Sequence, residues 1–505
     1  MVDTITPIAV VLVPLGAALL SYMLRDDPRA SAAVATIAPL LSAIVLLAGF
    51  RARTPVTEVW WSSWVPGFLP GVRGVGFVMR MDGLSLAMCA MTCILYAAAM
   101  LYALPYLEER GGHGVFYSLA MVLLTALLGV FLSWNLLAFY IFWELMAVPS
   151  FFMISEWGYG NAREAAMKFF LYTRAGALLI ILAMAMAYNR LGTLDLDAIA
   201  ASASGWPALT VASVLMTVGF MIKAGCFPLH SWLPDAHSQA PAPFSALLSG
   251  ILVATGIYSI LRIPIASFWL PGGGGDSLPL LLTSLGLSSA FFGAFRAMKE
   301  TDIKRIPAYS SISHMGYALA GLGLGTAAVV HGYAKAGELI LTGAMFHLVA
   351  HAWSKGLLFL SAGSVMHLLG RRNITRLGGT LRLLPVTSAA MIVAAMSIAG
   401  SPPFPCFVSE VSMIVGSASA GLPHARLVAA ALAFATVLSA GYALRLVYHV
   451  VWGTPKEGLA YAERKAEPPE MTVPMLSLAI LLALAFFVPT MVLAPIELTI
   501  IEVVG

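Results

Sequence analysis

"KAGCFPLHSWLPDAH", residues 223–237, ends an apolar run with a lysine and then places a proline five residues later. The preceding residues 208–222 are almost entirely apolar, which predicts a helix at membrane depth. Pro228 removes a backbone donor and clashes with the turn before it, so the helix has to open there. Open backbone inside a membrane is tolerated only where it faces protein or a hydrated cavity. The stretch therefore predicts a broken membrane helix that carries an ionisable group.

The composition agrees with a membrane protein. Of the 505 residues, 60% are hydrophobic and only 10% are charged, and the mean hydropathy is +0.89. A soluble chain of this length needs more charge to cover its surface. The four cysteines all lie in apolar stretches without a CxxC motif, which predicts buried thiols. We also expect the first apolar stretch to be a membrane helix, because Asp3 stands where a signal peptide carries basic residues.

Apolar segments recur along the whole chain, and they predict an all-α polytopic membrane protein with about fourteen spans. The predicted spans are 4–24, 31–50, 81–104, 115–133, 135–155, 165–188, 208–227, 241–263, 278–297, 306–326, 335–366, 383–415, 426–452 and 472–495. Span eleven is too long for one straight crossing, so we expect a kink or break in it. "SPPFPC", residues 401–406, predicts a break in span twelve.

The two proline breaks, in spans seven and twelve, are five spans apart. This spacing predicts two five-span units of opposite topology, spans 4–8 and 9–13, because five is an odd number of crossings. The predicted division of the chain is 1–114 for the first three spans and an outer loop, 115–263 and 278–452 for the two units, and 453–505 for a loop and the last span.

Basic residues predict the orientation. The loops after spans nine, eleven and thirteen are basic, whereas the opposing loops 327–334 and 416–425 contain no Lys or Arg. By the positive-inside rule the basic loops are cytoplasmic, so both termini face outward. We expect an integral protein of the prokaryotic inner membrane.

Ionisable residues inside predicted spans are costly and usually functional. Those that we single out are Glu144, Arg174, Lys223, His347, His351, Lys355 and Glu410. The alternative is that each is half of a structural ion pair, but their distribution over several spans beside two breaks favours an ion path.

"FHLVAHAWSK", residues 346–355, places two histidines and a lysine four residues apart, on one helical face. Histidine titrates near neutral pH, so the face predicts a proton relay. The histidine spacing also suits a metal, but the sequence offers no neighbouring carboxylate or thiol, so we expect no metal site. There is no iron–sulfur, haem or dinucleotide motif either, so we expect no cofactor in this chain.

Several stretches together resemble one family, the antiporter-like membrane subunits of respiratory complex I, Mrp-type cation/proton antiporters and membrane-bound hydrogenases. The stretches are "MDGLS" (81–85), "FYIFWELMAVPSFFMI" (139–154), "AAMKFFLYT" (165–173), "KAGCFPLHSWLPDAHSQAPAPFSALLSG" (223–250), "DIKRIPAYSSISHMGY" (302–317), "FHLVAHAWSKGLLFLSAGSV" (346–365) and "AGSPPFPCFVSE" (399–410).

The resemblance implies a role for each matching residue. Glu144 and Lys223 would form an ion pair whose making and breaking controls a proton, and the path would continue through span eleven to Glu410. His230, Asp235 and His237, within the same resembling stretch as Lys223, and Arg174 would support it. Arg174 resembles the largest antiporter-like subunit of complex I and Glu410 the middle-sized one, so the branch stays open.

Ala254 departs from the family, because many relatives carry a lysine or histidine there. The link between Lys223 and span eleven would then use water held by Ser245, Ser249, Thr255 or Tyr258, or the path is incomplete.

Four hypotheses follow. The first is a non-catalytic, proton-translocating subunit of an oxidoreductase complex, with the electron chemistry in other subunits. The second is a subunit of an Mrp-type antiporter, with Na⁺ as counter-ion. The third is a non-conducting scaffold, and the fourth is a free-standing permease. The expected partners are other membrane subunits, including further antiporter-like ones, the lipid bilayer and protons, and no nucleic acid.

Overall fold

A computed structural model describes residues 7–50, 55–61, 76–203, 207–456, 458–459 and 463–504. The described residues are mostly helical and contain one two-stranded antiparallel sheet of β1 (Val56–Trp61) and β2 (Phe77–Met81). The helices are α1 Pro7–Met23, α2 Pro28–Gly49, α3 Gly83–Tyr106, α4 His113–Leu132, α5 Leu136–Leu145, α6 Ala147–Ser155, α7 Ala162–Leu191, α8 Leu196–Ser202, α9 Pro207–Ala224, α10 Trp232–Gln239, α11 Ala242–Leu247, α12 Val253–Ile260, α13 Ser277–Lys299, α14 Arg305–Val330, α15 Ala334–Leu369, α16 Thr380–Leu383, α17 Pro385–Ile398, α18 Pro405–Ser419, α19 Ala425–Val447, α20 Pro469–Phe487 and α21 Thr490–Val504.

Three π-helical stretches continue α-helices of the fold. They span Leu248–Leu252 and Leu261–Trp269 on either side of α12, and Tyr448–Trp452 after α19. A short 3₁₀ turn covers Ile374–Arg376. Segment 242–269 is therefore one nearly continuous helix with two wide turns.

Each predicted span contains helix among its described residues. Ten helical segments among the described residues are long and apolar enough to cross a membrane, and three shorter apolar helices accompany them. The prediction of a polytopic all-α membrane protein is therefore confirmed. The exact number of crossings, the inverted repeats and the four-part division stay predictions.

Both predicted proline breaks are present. The first lies between the end of α9 at Ala224 and the start of α10 at Trp232. The second separates α17, which ends at Ile398, from α18, which begins at Pro405. Gly225 and Gly400 end the incoming helices with φ of +66° and +65°, a conformation that favours glycine. The chain opens where proline chemistry predicts it.

Two details of the prediction need revision. Span eleven contains no break, because α15 runs for 36 residues without interruption, a length of about 54 Å; a kink, the other alternative, stays a prediction. This helix packs against helices from both halves of the chain, including α3, α11, α14, α17 and α18. These neighbours bury its central residues, so α15 is the core of the molecule.

The predicted span 472–495 is also two helices. α20 ends at Phe487, and α21 packs against α3 and α15. A side chain at Gly83 would overlap the backbone of Pro495, which shows how closely α21 covers the start of α3.

Candidate functional site

Lys223 lies in the last turn of α9, at the edge of the first break, and only 3% of its surface is exposed. Its amine lies over two aromatic rings, 5.2 Å from the centre of Phe169 and 5.8 Å from that of Trp143. Among the described residues no carboxylate lies within salt-bridge distance of the amine. Cation–π contacts therefore stand in place of a counter-ion.

Glu144, in the last turn of α5, forms its salt bridge with Arg174 of α7. The ion pair between Glu144 and Lys223 that the resemblance implies is thus not formed in this structure. The reason is geometric, because the packing of α7 brings the long guanidinium side chain to the carboxylate. The side chains of Glu144 and Arg174 are 20% and 35% exposed, so this pair lies at the protein surface.

The second group of ionisable residues lies on α15. His347, His351 and Lys355 share one face and are fully buried, as the spacing predicts. The Lys355 amine donates to the carbonyl oxygen of Pro307 at 2.9 Å and to the hydroxyl of Ser310. Both acceptors belong to the first turns of α14, so neutral oxygens surround this amine.

Sequence reasoning missed a third histidine, His314 of α14. Its Nδ1 lies 3.1 Å from Nε2 of His347, and its Nε2 lies 3.0 Å from the hydroxyl of Tyr442. His314 falls within a quoted family stretch, and it is an ionisable residue in an apolar span. The rule that singled out Lys223 therefore applied to it as well.

Glu410 of α18 joins this histidine pair. One nitrogen of each ring and one carboxylate oxygen of Glu410 all lie within 4.8 Å of one another. The argument that no carboxylate neighbours the histidines of α15 is therefore wrong. The break before α18 makes the approach possible, because a side chain at Gly400 would overlap the carboxylate of Glu410.

His351 lies beside the same group, with its ring centre 5.6 Å from that of His314. Neither of its ring nitrogens has a hydrogen-bond partner among the described residues. Buried polar atoms usually find a partner, and water is the common one where protein supplies none. The face of α15 is thus able to hold water.

Ser249 provides a polar connection between the two halves of the chain. Its hydroxyl lies 2.6 Å from that of Ser311, and Ser311 donates to the carbonyl of Pro307 that also accepts from Lys355. The other proposed hydroxyls are engaged elsewhere: Ser245 bonds to the carbonyl of His237, Thr255 to that of Leu252, and Tyr258 to that of Phe131.

The residues after the first break lead from the surface toward α15. Asp235 forms salt bridges of 2.7 Å with Lys168 and 3.1 Å with Arg305, and its side chain is partly exposed. The His230 ring stacks on that of Phe227 and lies tilted against that of Phe292, with ring centres 5.5 Å and 4.4 Å away. His237 is fully buried and stacks on Phe359 of α15, one turn beyond Lys355.

With this geometry described, comparison with known proteins decides the family. Residues 133–439 match the family model described as "NADH:quinone oxidoreductase/Mrp antiporter, TM". The chain belongs to this family. The match covers both breaks and both groups of ionisable residues, and it confirms the resemblance drawn from the sequence.

Similar proteins include subunits of several different complexes. The F(420)H(2) dehydrogenase subunit M of Methanosarcina mazei is 32% identical over 89% of this chain and 88% of its own length. A component of a probable K(+)/H(+) antiporter of Rhizobium meliloti is 29% identical over 96% of this chain but 47% of its own length. A chain of respiratory complex I from Thermus thermophilus superposes with a TM-score of 0.82 at 26% identity, over 99% of this chain and 100% of that one. The chain is therefore an antiporter-like membrane protein of this family.

Proposed function

We propose that the chain translocates protons as one subunit of a multisubunit, redox-driven membrane complex. The observation that carries this proposal is the set of buried ionisable side chains on four helices: Lys223 on α9, His314 on α14, His347, His351 and Lys355 on α15, and Glu410 on α18. Burial of so many ionisable groups is costly, and proton transfer is a function that requires it.

Lys223 is the first proton carrier in this proposal. A buried ammonium without a counter-ion is unfavourable, and Glu144 is held by Arg174 in the structure. This arrangement favours release of the Lys223 proton. If Glu144 turns from Arg174 to Lys223, the ammonium gains a counter-ion, which favours proton uptake. Glu144 thus acts as a switch between two cations.

The proton then passes to the second half of the chain. Ser249 and Ser311, with water, connect the region of Lys223 to Lys355 despite the absence of an ionisable residue at Ala254. The histidines of α14 and α15 carry it on to Glu410. His237 and Asp235 support proton uptake from the cytoplasmic side, which is the side of the basic loops.

The partly exposed pair of Glu144 and Arg174 supports the presence of a partner protein. A charged pair at membrane depth is poorly solvated by lipid, so a neighbouring protein surface is its natural cover. In this proposal the chain crosses the membrane about fourteen times, contains two inverted five-span units and has both termini outside. Its partners are further membrane subunits, and its location is the prokaryotic inner membrane.

The test is proton pumping by the complete complex reconstituted in vesicles. We expect Lys223→Ala, Lys355→Ala and Glu410→Gln each to reduce pumping by at least roughly tenfold, because each removes a proton carrier. Lys335→Ala is the matched control, since Lys335 is an exposed lysine on the same helix as Lys355. Unchanged pumping in all three variants would contradict the proposal and leave the scaffold role.

A cation/proton antiporter is the second candidate, favoured by the similarity of almost the whole chain to the Rhizobium meliloti protein. Flux of Na⁺ or K⁺ in the same vesicles, driven by an imposed pH gradient without any electron donor, distinguishes the two. We expect vesicles with the wild-type complex to show no more cation flux than vesicles with the Lys223→Ala variant. Gradient-driven cation flux that the variant abolishes would instead establish the antiporter.

A further inference from the structure

The hydrogen bonds around His314 and His347 favour one assignment of the hydrogens on the ring nitrogens. The Tyr442 hydroxyl donates to Ser439 at 3.1 Å, so it accepts from Nε2–H of His314. The Ser409 hydroxyl donates to the carbonyl of Cys406 at 2.8 Å, so it accepts from Nδ1–H of His347. Nε2 of His314 and Nδ1 of His347, the outer nitrogens of the pair, are therefore both donors.

This assignment leaves two lone pairs facing each other. In neutral rings, Nδ1 of His314 and Nε2 of His347 are both acceptors, and they lie 3.1 Å apart. Two acceptors at this distance repel unless a cation lies between them. A proton is one such cation, and its presence makes one ring an imidazolium. A metal ion is the other.

We propose that the pair, together with Glu410, is a binding site for a divalent transition metal of the Zn²⁺ class. Two nitrogens 3.1 Å apart can both reach an ion at the usual zinc–nitrogen distance of about 2.1 Å. One ring nitrogen of each histidine and one carboxylate oxygen of Glu410 lie within 4.8 Å of one another, and Thr436 donates to Oε2 of Glu410 at 2.8 Å. Oε1 has no hydrogen-bond partner among the described residues.

The groups around the ligands match a metal site. Metal-binding histidines usually donate their other ring N–H to an oxygen, which fixes the tautomer and the ring orientation. Here Tyr442 and Ser409 accept from the outer nitrogens, and Thr436 holds the carboxylate. Two imidazoles and one carboxylate are a ligand set that zinc and its neighbours in the first transition row accept. A bound metal would leave one coordination position for water.

The consequence for transport rests on the proposed function. A metal ion between the histidines takes the place of the shared proton, so it blocks the relay between α15 and Glu410. Transition metals would then inhibit pumping by acting within this chain, in competition with protons.

Binding of Co²⁺ to the purified complex tests the site, with its visible d–d absorption as the signal and Zn²⁺ as the competitor. We expect His314→Gln, His347→Gln and Glu410→Gln each to weaken binding by at least about tenfold, and Tyr442→Phe to weaken it less. His367→Gln is the control, because His367 lies in the last turn of the same helix as His347 and is outside both the ligand set and the proposed proton path. It should leave the affinity unchanged.

A second measurement covers variants that fail to fold. X-ray absorption of the wild-type complex with Zn²⁺ should show two imidazoles and oxygen around the metal. The absence of bound metal, a metal shell without histidine, or equal weakening of binding by His367→Gln would overturn the proposal. Since binding is measured without transport, a complex that binds the metal but does not pump would refute the proposed function alone. If bound Zn²⁺ left pumping unchanged, the proposed inhibition of the relay by the metal would be refuted.

Discussion

At the scale of single residues, the most buried ion pair among the described residues lies outside the proposed proton path. Asp82, the N-cap of α3, accepts from Arg262 at 2.6 Å, and both side chains are almost fully buried. Burial by itself raises the pKa of Asp82, but the charge of Arg262 and the hydrogen bond from the backbone of Ser85 outweigh it and hold that pKa below its ordinary value. The carboxylate therefore stays ionised at neutral pH.

Loss of this charge should destabilise the chain. We expect Asp82→Asn to lower the free energy of unfolding by about 3–5 kcal/mol, because it leaves Arg262 buried and unpaired while keeping a residue suited to the N-cap. Since the folded-state pKa is depressed, the stabilisation is present above the ordinary aspartate pKa and is lost as the pH falls through the folded-state value. Denaturant titration in detergent measures the change.

Asp197→Asn is the control for that measurement. Asp197 contacts Arg80 at 3.5 Å with its side chain 66% exposed, so its loss should cost at most about 1 kcal/mol. Equal changes in the free energy of unfolding for the two substitutions would show that the buried pair stabilises the chain no more than the exposed one.

The hydroxyl contact between Ser249 and Ser311 also makes a prediction at this scale. Ser249→Ala removes the polar link beside Lys355, so we expect roughly a tenfold loss of proton pumping with normal assembly. Thr255→Val, six residues away, removes a hydroxyl that bonds only to its own helix and should have little effect. Pumping by the reconstituted complex is the measurement, and equal rates for both variants would refute the link.

At the scale of elements, α13 and α14 pack with their backbones in contact through glycines. Side chains at Gly286, Gly293, Gly316 and Gly323 would each overlap a backbone nitrogen of the facing helix. Small residues allow close helix packing in membranes. This contact sets the position of α14 and, with it, of His314, two residues before Gly316.

We therefore expect Gly316→Ala to separate the two helices, destabilise the chain by about 1–3 kcal/mol and reduce pumping. Thermal stability in detergent and proton pumping are the readouts. Gly16→Ala is the control, because Gly16 of α1 has no atom within 4 Å of the added carbon. That change should be neutral or stabilise by up to about 1 kcal/mol. A neutral Gly316→Ala would show that the contact is not tight.

At the scale of the whole molecule, one apolar face carries a charged pair. The exposed side of α7 combines Arg174 with large apolar residues such as Leu171 and Leu178, which are 59% and 66% exposed. Such a face suits contact with another membrane protein better than contact with lipid alone.

Maleimide labelling of a cysteine introduced at position 178 tests whether a partner covers this face of α7. We expect Leu178→Cys to react with a membrane-permeant maleimide in the isolated chain and to be protected in the assembled complex, since a partner covers the face. The native cysteines are fully buried and should give little background. Equal labelling in both states would place the partner elsewhere.

Local chemistry was enough to predict the helices, both breaks and most of the buried ionisable residues. The length of an apolar segment, the effect of a proline on a helix and the cost of burying a charge all depend on residues close in sequence. They can therefore be recognised without tertiary information. The position of Lys223 beside Pro228 and the shared face of His347, His351 and Lys355 follow from such rules.

Only the tertiary structure decided which of these groups meet. It paired Glu144 with Arg174 rather than Lys223, placed His314 of α14 against His347 of α15, and showed that α15 runs without a break. These outcomes depend on how helices distant in sequence rotate and pack against one another. Side chains that share no local pattern meet only through that packing, which is why the sequence alone could identify the ionisable residues but could not pair them.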